Sequence, residues 1–265
     1  MLQNKLRKTQ IFKSETFKKT ARMLISAAVW LSLWQILYVT VQNEILISSP
    51  YAVLQRAFHL LFEKLFWVKT FHSFLSITEG YLLGVLCGVI LAILTNASKL
   101  LHAIFKPVLT LIKATPVVSF IILALVWMRK ATVPIFISFL MVVPVVWANL
   151  SVAIQETNPQ LLEMAKIYQF GIWKTIRHVY VPTVLPVFLT ALTTATGFAW
   201  KSGIAAEVIS TPQYAIGTEL YNAKVYLETT DLFAWTLIVV LFSILFEKLI
   251  LRMVSKIANH TKKER

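Results

Sequence analysis

The sequence predicts an all-α membrane protein with six transmembrane helices and both termini in the cytoplasm. Composition is the first reason: 57% of the 265 residues are hydrophobic, only 14% are charged, and the mean hydropathy is +0.70. A soluble domain of this length carries charge on about 25% of its residues. The second reason is the grouping of the apolar residues into six long runs, and the third is the placement of the basic residues between those runs.

The six apolar runs are long enough to cross a bilayer, since a transmembrane helix needs about 20 apolar residues. They cover residues 23–41, 71–95, 107–128, 133–154, 185–206 and 232–251. We interpret the first run as a retained anchor, because no small-residue cleavage site of the kind that follows a signal peptide stands behind it. In the second run, Gly80, Gly84 and Gly88 are four residues apart, which predicts a flat stripe for close packing of a neighbouring helix.

The basic residues set the expected orientation. They concentrate in the N-terminal tail, after the second run, in residues 155–185 and at the C-terminus, and these regions hold roughly three times as many Lys and Arg as the remaining loops. The positive-inside rule therefore places both termini and residues 155–185 in the cytoplasm. The net charge of +14 serves topology in this interpretation, so we expect membrane lipid and no nucleic acid as a partner.

The expected organisation follows from these runs. Its parts are a basic cytoplasmic tail (1–22), a first transmembrane helix (23–41), an external loop (42–70), a transmembrane core (71–252) that contains a cytoplasmic hairpin (155–185), and a C-terminal cytoplasmic tail (253–265). In the external loop, Ser49 and Pro50 are typical of a helix start, and we expect an amphipathic helix on the outer membrane surface. Its expected apolar face is Val53, Leu54, Ala57, Phe58, Leu61, Phe62, Leu65 and Phe66. Residues 207–231 are too polar to span and are expected outside, as a short re-entrant helix.

The hairpin interrupts the apolar runs with a more polar segment of about thirty residues. Asn158 and Pro159 are typical of a helix start, and Gln-Phe-Gly at 169–171 is expected to form a turn before a second helix. The small Ala165 and the bulky Trp173 suit a helix pair that is presented to the groove of a partner.

This hairpin resembles the cytoplasmic signature of the inner-membrane permeases of bacterial ABC importers. That signature has Glu-Ala-Ala, a Gly six residues after the Glu, and a hydrophobic-x-Leu-Pro ending. Here Glu-Met-Ala at 163–165 and Val-Tyr-Val-Pro at 179–182 correspond to it, while Gln169 holds the glycine position and Gly171 follows two residues later. The stretches SSPYAVLQ, IKATPVVSFIILALVW and TDLFAWTLIVVLFSILFEKL resemble the nitrate/sulfonate/taurine branch of these permeases, and the resemblance extends over about residues 45–252.

The resemblance implies a type I ABC importer permease fold and several partners. Family members pair two permeases, here expected as a homodimer, and each hairpin enters a cleft of a cytoplasmic ATPase dimer that binds ATP and Mg. An external binding protein delivers the substrate, expected to be a small anion such as nitrate, a sulfonate or taurine, with a thiamine precursor as the alternative. The chain has no G-x-x-x-x-G-K-[ST] phosphate loop and needs no cofactor in this interpretation. The residues expected to couple to the ATPase are Glu163, Met164, Ala165, Gln169, Gly171, Trp173 and Pro182.

Polar residues inside the apolar runs are candidates for the translocation pathway, because a charge at the bilayer centre costs roughly 2.5–3.5 kcal/mol on insertion scales. In the third run, Pro116 is expected to break the helix, and broken helices often line a path. The fifth run lines the pathway in the resembling family. The candidates are Thr115, Pro116, Ser119, Thr193, Thr194, Thr196, Trp200 and Lys201. Two alternatives stay open: the threonines bond to their own helix, and Lys201 extends to the membrane surface.

Two other classes of protein compete with the importer subunit. A secondary transporter or channel that works without an ATPase is the second interpretation, although no inverted repeat is evident. A membrane-embedded enzyme is the third, but the sequence contains neither H-E-x-x-H nor G-x-S-x-G. We therefore expect a non-catalytic transport subunit in the bacterial inner membrane.

Overall fold

The structure is a computed structural model that describes the backbone of residues 2–263 and the side chains of residues 21–256, except at positions 23 and 254. Within that range the chain is helical, with short connections and no strand. The helices are α1 (Leu2–Val41), α2 (Pro50–Leu60), α3 (Lys64–Ala97), α4 (Lys99–Ala114), α5 (Val117–Trp127), α6 (Val133–Gln155), α7 (Pro159–Ile167), α8 (Ile172–Thr175), α9 (Val181–Ser210), α10 (Ile216–Val225) and α11 (Thr229–Lys263). A π-helical turn, Ile176–Tyr180, joins α8 to α9.

Five segments of the described chain are long and apolar enough to cross a membrane. They are Leu24–Val41, Lys64–Ala97, Val133–Gln155, Ile172–Ser210 and Thr229–Met253. Helices α4 and α5 count as a sixth span only if taken together, since their axes bend by 106° at the break between them. The structure therefore supports an all-helical membrane protein with five or six spans.

The third run, predicted over residues 107–128, is divided between α4 and α5, and the break expected at Pro116 is present. Thr115 is extended, with φ −83° and ψ 134°. A residue before proline is disfavoured in the helical conformation, and proline has no N–H to continue a helix. The chain therefore leaves α4 at Thr115 and starts α5 in a new direction.

The centre of the fold is the packing of α6 between α3 and α9. The predicted glycine stripe is confirmed: Gly80, Gly84 and Gly88 face α6. A Cβ atom at Gly84 would lie 2.7 Å from the Val142 Cβ, and one at Gly88 would lie 2.8 Å from the Val146 Cβ. The two helices thus approach more closely than larger residues would permit.

The predicted surface helix over residues 49–66 is wrong in its length and in its single apolar face. Helix α2 ends at Leu60, and Leu65 and Phe66 belong to α3. Val53 and Phe66 are buried, whereas Phe62 is 75% exposed. Because the helix is interrupted at residues 61–63, the periodicity that suggested one face does not continue through it.

Helix α1 stands apart from the rest of the described chain. None of the residues in its most apolar window is buried. Trp34 connects α1 to the other helices. Its Nε1 donates a hydrogen bond to the Ser48 carbonyl (3.1 Å), and its ring stacks on Phe233 with ring centroids 5.6 Å apart. The predicted boundary between basic tail and first span falls inside this helix, and the side chains of the tail at 1–20 and residues 264–265 of the C-terminal tail lie outside the described part.

Candidate functional site

The hairpin starts directly after α6, at a side-chain cap. The Asn158 Oδ1 accepts a hydrogen bond from the Gln160 N–H (2.9 Å), and Pro159 occupies the first turn of α7. An asparagine cap satisfies one of the free N–H groups at a helix start, and proline suits the first turn because it has no N–H there. The start predicted from Asn158 and Pro159 is thereby confirmed.

Gln169 forms the turn of the hairpin in a left-handed conformation, with φ 51°. Its N–H donates to the Lys166 carbonyl (3.0 Å), and the Phe170 N–H donates to the Ala165 carbonyl (2.8 Å). These two bonds form a Schellman motif, in which the left-handed position is usually glycine. A residue with a Cβ atom adopts this conformation at a cost of roughly 1–2 kcal/mol. The position that holds glycine in the signature is Gln169 here. It adopts the left-handed conformation that glycine usually adopts in this motif.

Gly171 does not take over that role. Its backbone is extended, with φ −65° and ψ 162°, which any residue adopts. A Cβ atom added there would meet nothing within 4 Å. The left-handed residue of the turn is thus Gln169. Neither the backbone conformation of Gly171 nor its surroundings require a glycine there.

The second arm of the hairpin is continuous with the fifth span. Ile172–Ser210 forms one helical path through the π-helical turn, in which the Val181 N–H donates to the Ile176 carbonyl. Pro182 lies in the first turn of α9 and Pro186 lies one turn further inside it, so both prolines are at the entry to the fifth span. A π-helical turn changes the hydrogen-bond register of a helix, and here it precedes Pro182, whose missing N–H is tolerated in a first turn.

The two arms are fixed to each other at their base. Ala165 on α7 and Val179 on the π-helical turn are each only 2% exposed. Above them, the rings of Phe170 and His178 meet edge to face with centroids 6.2 Å apart. The hairpin is therefore packed within the single chain.

The end of the hairpin is apolar and exposed. Four side chains form it, which we call the hairpin tip: Ile167 (78% exposed), Tyr168 (71%), Ile172 (79%) and Trp173 (84%). Charged residues surround the tip, and the signature acid Glu163 is exposed and makes no salt bridge with described residues. Met164 is 39% exposed. An exposed apolar patch with a polar rim is typical of a protein–protein contact.

Three pathway candidates lie at the break between α4 and α5. Thr115 is half-buried and donates from its Oγ1 to the Leu111 carbonyl (2.8 Å), while Pro116 and Ser119 are exposed. The break therefore leaves a proline and a serine hydroxyl on the surface of the single chain. Their part in transport stays a prediction.

The candidates on α9 divide into buried and exposed residues. Thr196 and Trp200 are each 1% exposed, and the Trp200 Nε1 donates to the Val239 carbonyl (3.2 Å). Thr193 is half-buried, whereas Thr194 and Lys201 are exposed, seven residues apart and so on one helix face. All three threonines donate to carbonyls one turn earlier in their own helix, as the alternative interpretation expected. A pathway role for these residues stays a prediction.

Sequence reasoning missed Glu207, a carboxylate that is only 1% exposed. Its Oε2 accepts from the Ser73 Oγ (2.9 Å) and from the Gly217 N–H (3.0 Å), and the Ser73 Oγ accepts from the Ile216 N–H (2.8 Å). Ala215 offers no side-chain cap to α10, so the Glu207 side chain supplies an acceptor for an N–H group at this helix start. We call Glu207, Ser73 and the first turn of α10 the carboxylate cluster.

The sequence held one signal for this burial. Gly203 packs against Ile77 and Ser138, since a Cβ atom there would lie 2.6 Å from the Ile77 Cγ1 and 2.7 Å from the Ser138 Oγ. Glu207 is four residues later on the same helix face. Small residues permit close packing of a neighbouring helix, so Gly203, Ala205 and Ala206 indicate close packing near residue 207.

Comparison with known proteins places the chain in a family. Residues 84–260 match the family described as the inner membrane component of binding-protein-dependent transport systems. The match covers more than half of the chain, and the chain belongs to this family. It is therefore a multi-pass inner-membrane permease of an ABC importer, and membership implies an ATPase and a substrate-binding protein as partners.

Individual relatives agree with this assignment. A probable ABC transporter permease protein from Haemophilus influenzae is 27% identical over 224 residues, which cover 83% of this chain and 90% of the relative. A nitrate import permease protein from Leptolyngbya laminosa is 23% identical over 220 residues, or 79% of this chain and 77% of the relative. A bicarbonate transport system permease protein from Synechococcus elongatus is 24% identical over 160 residues, or 60% of this chain and 57% of the relative. The predicted resemblance to the nitrate branch is confirmed.

Proposed function

We propose that this chain forms the translocation pathway of an ATP-driven importer and that its hairpin, residues 158–182, docks into a cytoplasmic ATPase dimer. The observation that carries the proposal is the hairpin tip, where four large apolar side chains are 71–84% exposed at the end of a tightly packed turn. Burial of such a tip in a partner cleft removes apolar surface from water. The positively charged loops support a cytoplasmic location for the hairpin and both termini.

The connection of the hairpin to the bundle supports a coupling role. Ile172–Ser210 is 39 residues long, which corresponds to about 58 Å of helix. One end carries Ile172 and Trp173 of the tip, and the other end carries Glu207 of the carboxylate cluster. ATP and Mg are bound by the partner ATPase in this proposal, and closure of its dimer displaces the tip. A rigid helix then transmits that displacement through the bilayer.

A second copy of this chain completes the pathway in the proposal. Thr190, Thr194, Phe198 and Lys201 are exposed and recur at spacings of four, four and three along α9, which places them on one face. Lys201 within a membrane-crossing helix is costly against lipid. A partner permease across this face would enclose both the lysine and the hydroxyl groups, and a homodimer accomplishes this with one type of chain.

The proposed substrate is a small anion. Two relatives are named for nitrate and bicarbonate import, and the exposed Lys201 offers a positive charge on the proposed pathway face. Sulfonates and taurine carry a negatively charged sulfonate group, which the same lysine attracts. A thiamine precursor is the alternative substrate.

The test is copurification from detergent of the chain with an ATPase that contains the phosphate-loop motif. We expect this ATPase to accompany the wild-type chain and to be lost from the double variant Glu163→Ala/Ala165→Glu. Glu228→Ala, which removes an exposed acid at the opposite end of the bundle, is the control and retains the ATPase. If no such ATPase is recovered and the purified chain alone moves nitrate down its gradient, the chain is a channel and the proposal is wrong.

A further inference from the structure

Helix α4 has three distinct faces along its 16 residues. The face toward the bundle contains Leu109, which is 2% exposed, and the half-buried Phe105 and Ile112. A second face is apolar but exposed, and a third is basic. A helix that only crossed the membrane inside a bundle would not need a basic face along its whole length.

The exposed apolar face recurs at spacings of four, four and three residues. It consists of Leu100 (70% exposed), Ile104 (52%), Val108 (51%) and Leu111 (65%). These spacings keep the four side chains on one stripe of a helix. The stripe covers the full length of α4, and nothing in the described chain lies over it.

The basic face lies on the other side of the helix. Lys99, Lys106 and Lys113 are seven residues apart, close to two helical turns. All three are exposed, and none forms a salt bridge with a described residue. The Lys113 ammonium lies 5.9 Å from the ring centroid of Trp147, whose Nε1 donates to the Thr95 Oγ1 (2.9 Å). Trp147 is buried in the bundle, so the Lys113 ammonium lies at the edge where the basic face meets the bundle.

The position of α4 in the fold agrees with such a boundary. It starts where α3 ends, beside Asn96, whose Oδ1 accepts from the Gln155 Nε2 at the end of α6 (2.9 Å). Both helices end at the side of the bundle that carries the hairpin. Because α4 is bent by 106° from α5, α4 runs nearly parallel to the membrane plane when α5 is upright.

We propose that α4 lies in the membrane interface on the hairpin side and binds the headgroups of anionic phospholipids through Lys99, Lys106 and Lys113. The apolar stripe Leu100, Ile104, Val108 and Leu111 enters the acyl-chain region, and the lysines contact the phosphates. A basic face opposite an exposed apolar face is the pattern of helices that lie in this interface. The proposed lipid contact holds α4 next to the break at Thr115 and Pro116. It depends neither on the ATPase nor on the substrate.

The first test counts bound lipid on the full chain, purified in a neutral detergent, by native mass spectrometry with phosphatidylglycerol as the probe. Each lysine near an anionic surface contributes about fivefold to affinity, so Lys99→Gln/Lys106→Gln/Lys113→Gln should weaken binding on the order of 100-fold. The control variant Lys64→Gln/Lys130→Gln/Lys224→Gln removes the same charge from exposed positions at the opposite end and should keep most of the binding. Equal losses in the two variants, or equal binding of phosphatidylcholine, would contradict the proposal.

A second test measures the depth of α4 in a phosphatidylglycerol bilayer. In a Cys87→Ser background, a fluorophore is attached to a single cysteine introduced by Val108→Cys or by Lys106→Cys. We expect nitroxides on the acyl chains to quench the label at 108 and aqueous iodide to quench the label at 106. If instead iodide quenches both labels, α4 lies in water, and if the label at 108 is shielded from both quenchers and the unlabelled Val108→Cys chain forms a disulfide between two copies on oxidation with copper phenanthroline, a second copy covers the stripe. Either result overturns the lipid assignment.

Discussion

At the end of the bundle that carries α10, polar groups are buried and paired, whereas at the hairpin end apolar groups are exposed. The Glu207 carboxylate is 1% exposed and the indole of Trp173 is 84% exposed. Each location is unfavourable for its side chain in an isolated molecule. The chain compensates Glu207 internally, with hydrogen bonds from Ser73 and Gly217, but it provides no cover for Trp173.

Further pairs tie the α10 end together. Arg56 binds Asp231 through two parallel hydrogen bonds of 2.7 and 2.8 Å, and the Lys69 Nζ lies 2.6 Å from the Glu219 Oε1. The hydrogen bonds that Arg56 donates to the Asp231 carboxylate raise the pKa of the Arg56 guanidinium, which keeps it charged. The α10 end is therefore held together by pairs within one chain, whereas the hairpin tip has no cover in the described chain; docking of the tip on another protein stays a proposal.

The largest expected effect is on the carboxylate cluster. Glu207→Ala removes the acceptor of the Ser73 hydroxyl and the Gly217 N–H and leaves both buried without it, which costs about 3 kcal/mol. We expect the midpoint of thermal unfolding in detergent to fall by roughly 5–10 °C. Glu228→Ala, at an exposed acid on the same end, is the control and should change the midpoint by less than about 1 °C. Equal midpoints for the two variants would mean that the cluster does not hold this end together.

The next effect concerns the hairpin tip. Trp173→Ala should weaken ATPase binding by about 30-fold, because a central tryptophan commonly contributes 2 kcal/mol or more to an interface. Trp127→Ala is the matched control, since Trp127 is 78% exposed but lies at the end of α5 away from the hairpin. Affinity is measured by titrating the immobilised permease with ATPase. A similar loss in both variants would point to a general effect of removing surface tryptophan.

Gly217 at the α10 end and Gly171 in the hairpin differ in how much space they leave for a side chain. A Cβ atom at Gly217 would overlap Glu207 and lie 2.6 Å from the Val208 backbone nitrogen, whereas one at Gly171 meets nothing within 4 Å. Gly217→Ala should therefore lower the unfolding free energy by about 2 kcal/mol, and Gly171→Ala should leave it unchanged or raise it by about 0.5 kcal/mol. Thermal unfolding of the two variants side by side measures this. If Gly171→Ala is the more damaging change, the assignment of the turn to Gln169 is wrong.

The smallest expected effect is a gain at the hairpin turn. Gln169→Gly relieves the left-handed strain at φ 51° and should stabilise the turn by about 1 kcal/mol. The expected result is about fivefold slower amide hydrogen exchange in α7. Unchanged or faster exchange would show that Gln169 makes contacts that offset its strain.

Sequence reasoning anticipated those features that depend on local pattern. The apolar runs, the glycine stripe at 80–88, the Asn158 cap and the break at Pro116 each follow from residues that are close together in the chain. Hydropathy also gave the membrane class, which the family match confirms. The role of the hairpin residues in coupling stays a prediction.

The features that sequence reasoning missed depend on distant partners. Glu207 is buried only because Ser73, 134 residues away, supplies a hydroxyl. The 106° angle between α4 and α5 depends on the backbone at Thr115, which proline restricts but does not set. The conformation of Gln169 could not be predicted, because a glutamine in a left-handed turn is uncommon. Single-sequence patterns carry no information on such long-range contacts or on rare backbone conformations.

The most direct test of the central claim places a photoreactive amino acid at position 173 of the hairpin tip or, as control, at position 127. Crosslinking is induced in intact cells, and the captured protein is identified by mass spectrometry. We expect position 173 to capture an ATPase with a G-x-x-x-x-G-K-[ST] phosphate loop, and position 127 to capture none. If position 173 captures only lipid or another copy of this chain, the hairpin does not dock on an ATPase.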